Sequence, residues 1–278
     1  MIYLTLPYFY ENYKFNKYFY GLTVDHQERF KTKIKIESVQ GSFPWSLWSG
    51  DINSNLENQV LYKNLINTIS EINFLTPIIL DCSNFLLDKE DYFDIYQNLI
   101  LKISNDTSIY LEIADLDLYN YIKERYPFYN YILSNKINYI MPMDNKIING
   151  FLNKTDFIKI ILPSDYNDIK ELSNKQKLMI TIGECDNCSN YQNCLIQEQK
   201  NQINSSRNST FNACEKFSFI NYLDKIEQYK IQGINHFKIS PIKGKNNLLE
   251  FNFNLLKNFI KEECLNDCIE ECIKEGLI

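Results

Sequence analysis

Short runs of β-branched and other apolar residues alternate with longer amphipathic segments along this chain, and that alternation restricts the fold more than any other feature. The runs are Ile2–Leu6, Lys33–Ser38, Pro77–Asp81, Ser108–Ile113, Asn130–Leu133, Asp156–Leu162, Lys177–Ile182 and Asn235–Ser240. Between most of them the apolar residues change to helical spacing, as with Val60, Leu61, Leu65, Ile66 and Ile69 within Leu56–Ile72. The same spacing predicts helices over Glu90–Ile103, Leu116–Arg125, Asp165–Ser173, Phe217–Lys230 and Asn247–Lys274. Asp165 and Asp168 suit a helix start, and Gly233 suits a helix end. Strands that alternate with helices must run parallel, each crossover carrying a helix. Eight such units in 278 residues predict one α/β domain over 1–278, a (β/α)8 TIM-type barrel, complete or distorted. An open doubly wound sheet is the alternative.

Cys185, Cys188, Cys194 and Cys214 follow the seventh run in the order Cys-x2-Cys-x5-Cys-x19-Cys. They define a cysteine-rich insertion at 183–216, flanked by Asp, Asn and Ser rather than by apolar residues. Isolated cysteines are usually small buried hydrophobes. Four thiols so close together in a polar stretch point instead to a soft metal or an iron–sulfur cluster. The spacing matches neither the paired zinc pattern nor the compact ferredoxin run, so zinc and iron–sulfur both stand on spacing alone. In a barrel, sites gather at the carboxyl ends of the strands, and Cys185 comes three residues after Ile182.

The net charge is −6 and no long basic run occurs, which disfavours non-specific nucleic-acid binding. No apolar run approaches the length of a membrane span, and Met1–Tyr10 lacks the pattern of a secretory signal. The expectation is a cytoplasmic protein with no membrane partner, whose eight cysteines are thiols and metal ligands rather than disulfides.

The order of features around the cysteines resembles the peptidase U thirty-two (collagenase-like) family. In that family a barrel strand leads into a cysteine-bearing loop, then a helix, a glycine and a strand with Lys-Ile. Here the order is Met179-Ile180-Thr181-Ile182, the four cysteines, the segment Phe217–Lys230, and Gly233-Ile234-Asn235-His236-Phe237-Lys238-Ile239. Tyr126-Pro127 leading to Tyr131-Ile132-Leu133-Ser134-Asn135 is also similar to the family's barrel strands. Downstream, Ser240-Pro241-Ile242 stands where the family usually has Glu-Gly-Arg. The resemblance implies a 4Fe–4S cluster on Cys185, Cys188, Cys194 and Cys214, with zinc as the alternative. It also implies oxygen-independent hydroxylation or a related modification of RNA or a small aromatic compound, with a redox partner or a related protein subunit. Two other readings are a binding module stapled by metal and, from the family name alone, a peptidase. No zinc-protease or serine-hydrolase motif supports the last.

Several acids fall at strand ends, namely Asp81, Glu112, Asp115, Asp165 and Glu184. A pair of them can do acid–base work, and Glu184, beside Cys185, is the best single catalytic choice. Trp45 and Trp48 follow the second strand and can form a substrate wall, or can anchor their loop in the core. Cys264, Cys268 and Cys272 share one helix face, either as packing thiols or as further ligands. Cys82, at the end of the third strand, reads as a buried hydrophobe.

Overall fold

The computed structural model describes residues 1–42, 46–48, 76–84, 87–94, 97–98, 101, 109–153, 156–163, 166–183, 221–240 and 247–278. Eight parallel strands close into a barrel in sequence order. They are β1 (Ile2–Leu6), β2 (Ile34–Gly41), β3 (Ile78–Cys82), β4 (Ile109–Ile113), β5 (Asn130–Leu133), β6 (Phe157–Leu162), β7 (Leu178–Ile182) and β8 (His236–Ile239). β8 pairs with β1 through Tyr3↔His236, Leu4↔Phe237 and Thr5↔Lys238, so the sheet has no free edge.

The described helices are α1 (Tyr13–Asp25), α2 (Leu116–Arg125), α3 (Asn145–Asn153), α4 (Tyr222–Lys230), α5 (Asn247–Phe259) and α6 (Glu262–Lys274). Each presents an apolar stripe to the outside of the barrel, as with Phe15, Phe19 and Leu22 of α1. The main core lies between helices and strands and includes Ile2, Leu4, Leu6, Phe19, Leu118, Ile122, Ile226, Phe251 and Phe259. The expected helix over 247–274 is two helices. Its break at Ile260 lets that residue bridge Phe30, while Lys261 N–H donates to the Arg29 carbonyl at 2.9 Å. Over 165–173 the spacing predicts a helix, but the described part holds only a 3-10 turn, Ile169–Glu171. Ile169 and Leu172 are the only two residues buried there, which is too little apolar surface to hold more turns. Leu56–Ile72 lies outside the described residues, and the described part of Glu90–Ile103 begins with the 3-10 turn Lys89–Phe93.

The lumen is built in tiers, as alternation along each strand requires. Near the amino end stand Glu37 of β2, Tyr110 of β4, Lys159 of β6 and His236 of β8. His236 Nδ1 is 2.7 Å from a Glu37 oxygen, Lys159 Nζ is 3.9 Å from the same carboxylate, and Tyr3 stacks on the imidazole at 4.7 Å. Burial pushes the Lys159 ammonium down to about 8, against the pull of Glu37. Above this lies an apolar belt of Ile79, Ile132, Ile161 and Met179. Above the belt the lumen becomes polar again.

Candidate functional site at the carboxyl mouth

Lys238 and Glu112 sit on β8 and β4, opposite strands of the barrel, yet the Lys238 ammonium lies 3.0 and 2.9 Å from the two Glu112 oxygens. Strands on opposite walls meet only across the lumen, so both side chains point inward. Their side chains are 10% and 0% exposed. Glu112 also accepts from Gln40 Nε2 of β2 at 2.5 Å and from Ser134 Oγ, just past β5, at 2.6 Å. A carboxylate with this many donors is fully satisfied, and it holds Lys238 in one place. Glu112 thus positions the cation rather than standing ready as a base.

The uppermost tier comes from the odd-numbered strands and contains Asp81, Ser134 and Thr181, while Thr5 stands one tier lower with its hydroxyl 3.9 Å from Met179 Sδ. Asp81 is the register partner of Glu112. Its carboxylate accepts from Ser83 N at 2.9 Å and from the Ser83 hydroxyl, and Lys136 Nζ approaches at 3.5 Å. Lys136 also donates to Ser83 Oγ at 2.7 Å. Asp81 and Lys136 are each about one-fifth exposed, so they are the ionised pair open to the mouth. Thr5 Oγ1 and Ser38 Oγ lie 2.7 Å apart.

Burial by itself would raise the Asp81 carboxyl. The charges of Lys136 and Lys238 and the Ser83 hydrogen bonds outweigh it and hold the group below the usual carboxylate range. A carboxyl depressed in the folded state adds stability at pH above its unfolded value, about 3.9, and that contribution is lost as pH falls through the lower folded value. Asp81→Asn should therefore show a flatter acid limb than the parent when urea stability is followed from about pH 6 down to about pH 3. Parallel acid limbs would refute the ion-paired assignment.

β7 leads to the cysteines through Gly183. Its φ is +90°, and a Cβ there would lie 3.0 Å from Tyr222 Cε1, so only glycine makes this turn without strain. Glu184, Cys185, Cys188, Cys194 and Cys214 lie outside the described residues, as do Trp45 and Asp165. Trp48 is fully buried. Its indole N–H donates to the Asp91 carbonyl at 3.2 Å, and its ring meets Tyr121 edge-on at 6.4 Å. That geometry is the anchoring alternative for this loop. Asp115 caps α2, accepting from the N–H groups of Asp117 and Leu118.

The described thiols behave as packing groups. Cys82, Cys268 and Cys272 are buried and Cys264 is partly so. Burial pushes the Cys82 thiol well up, reinforced by Asp81, Asp94 and Glu112, and pushes Cys272 up to about 11. Arg29 reaches Cys268 Sγ at 3.7 Å and Glu271 at 3.0 Å, tying α6 to the segment before β2. Among the described residues, no group of three or more His, Cys, Asp or Glu can hold a metal ion. Nor, among those residues, is any helix long and apolar enough to cross a membrane.

The sequence pointed to Asp81 and Glu112 only as two strand-end acids among several, and it did not single out Gln40, Lys136 or Thr181. Lys238 appeared only in the Lys-Ile resemblance. A charged residue inside an otherwise apolar barrel strand was the signal, because such a cation must find a partner across the lumen. The fold and this mouth define a closed parallel barrel with an ion-paired polar site at its carboxyl end. Comparison of the chain with protein-family models, curated proteins and solved structures finds no match.

Proposed function

We propose that this chain is a barrel enzyme whose reaction centre is the carboxyl mouth, acting in oxygen-independent hydroxylation or a related modification of RNA or a small aromatic compound. The observation that carries the enzyme reading is the Lys238–Glu112 pair. A buried cation is fixed by a satisfied carboxylate directly beneath Asp81 and Thr181. Charges held so deep, at the end of the barrel where such folds place their chemistry, are preorganised for a reacting group rather than needed for packing. An apolar pair would fill the same space at less cost.

The cysteines join this reading through the chain. Cys185 follows Ile182 by three residues, and Ile182 pairs with Ile239, the neighbour of Lys238. Four thiolates are the donor set of a 4Fe–4S cluster or of zinc. A bound cluster would supply single-electron transfer at the mouth. Lys238 would fix and polarise a substrate oxygen, and Asp81, kept ionised by Lys136, would accept a hydrogen bond from the same molecule.

Anaerobic purification followed by iron, acid-labile sulfide and zinc analysis tests the proposal. About four iron and four sulfide per chain, lost in Cys185→Ala and in Cys214→Ala, is the expected result. About one zinc without sulfide would replace it with the metal-stapled binding module. No metal at all would remove the cofactor from the proposal altogether.

A further inference from the structure

Thr181 brings to the mouth a hydroxyl that no described residue satisfies. Its Oγ1 is buried and makes no hydrogen bond, although the hydroxyls of Thr5, Ser38, Ser83 and Ser134 around it are all engaged. A buried hydroxyl without a partner is uncommon enough to need a reason. Period-two alternation puts Thr181 on the same face as Met179, which belongs to the apolar belt inside the lumen. Its register partner on β8 is Lys238. The Lys238 ammonium carries three N–H groups, and its described bonds go to the two oxygens of Glu112. One N–H is therefore left over on the residue paired in register with Thr181, so two unused donors come from neighbouring positions of adjacent strands in the lumen.

Charge decides what kind of acceptor belongs there. The mouth sets Lys136 and Lys238 against Asp81 and Glu112 in two ion pairs. An added carboxylate or phosphate would meet two carboxylates with both cations already engaged, and an added cation would meet the converse. An uncharged group meets neither penalty. Asp81 supplies a partly exposed acceptor in the same tier.

Resting on the reading of this mouth as the reaction centre, we propose that Lys238 and Thr181 together bind the oxygen of an uncharged molecule that carries an N–H or O–H donor beside that oxygen. The donor is taken by Asp81. Amides, ureas and the hydrogen-bonding edges of nucleobases have this pattern, and free carboxylates and phosphates do not.

Uracil is the probe, because it is a small neutral ring with that edge. Benzoate and inorganic phosphate are the charged comparators. Binding is measured by ligand-observed NMR titration on the full chain and on its Thr181→Val and Thr181→Ser variants. Thr181→Val keeps the side-chain volume and removes the hydroxyl, so its urea midpoint should be no lower than that of the parent. Uracil affinity should fall about fivefold to tenfold in Thr181→Val and return in Thr181→Ser. Equal affinity in the parent and Thr181→Val, tighter binding of benzoate or phosphate, or no uracil binding would each overturn the inference. Iron and sulfide are measured on the same three proteins. Iron retained with hydroxyl-independent binding defeats this inference alone, whereas hydroxyl-dependent binding without iron defeats the cluster and keeps the Lys238–Thr181 binding site.

Discussion

Lys238→Met should lower unfolding stability by about 3–5 kcal/mol. The cause is not the loss of one attractive contact. Met fills much of the space of the lysine stem but leaves Glu112, fully buried, facing Gln40 and Ser134 with no cation. A buried charge stripped of its partner costs far more than the pair itself contributes. The double variant Lys238→Met with Glu112→Gln removes both charges and keeps groups that can bond Gln40 and Ser134. Most of the lost stability should therefore return in it. Urea denaturation of the parent, both single variants and the double variant closes the cycle. A cost below about 1 kcal/mol for Lys238→Met would show that the pair is not desolvated in the way its burial indicates.

Trp48→Ala follows, at about 3–5 kcal/mol, the usual cost of emptying a buried aromatic site. The expectation rests on more than the ring. Asn84 N–H donates to the Trp48 carbonyl at 2.9 Å, and Asn84 Nδ2 donates to the Leu47 carbonyl at 2.9 Å. Leu47 N–H donates to Asp94 at 2.7 Å, and Ser46 Oγ donates to Gln97 at 2.8 Å. The short segment after β2 is thus sewn to the segment after β3, with Trp48 as its apolar centre. Trp48→Phe keeps an aromatic ring and loses only the bond to Asp91, so it should cost about 1–2 kcal/mol. If Trp48→Ala were nearly neutral in urea, the residue would be dispensable to the core and the substrate-wall reading would gain.

The strands were legible because each is a short, mostly apolar run between polar residues. β1 and β5 have the boundaries the sequence suggests, and the other strands fall within a few residues of theirs. α1 and α3 were not read. α1 mixes aromatic and β-branched residues with Gly21, and α3 carries three Asn and Gly150, compositions that look like strand or loop. Their helical signal was present in the spacing of Phe15, Phe19 and Leu22, and of Ile148, Phe151 and Leu152, and tertiary burial outweighs the poor propensity. For the mouth, individual acids could be named from strand ends, but their partners could not. Glu112 meets Lys238 across 126 positions of sequence, through a closure that no local pattern encodes.

The apolar belt of Ile79, Ile132, Ile161 and Met179 has a consequence for the whole molecule. Its four side chains are apolar, and with the Thr5 hydroxyl that leans on Met179 Sδ at 3.9 Å they separate two ionic groups inside one barrel. An apolar layer screens charge poorly, so the Glu37–Lys159 pair below it and the Asp81–Lys136 pair above it feel each other more than they would across the same distance of water.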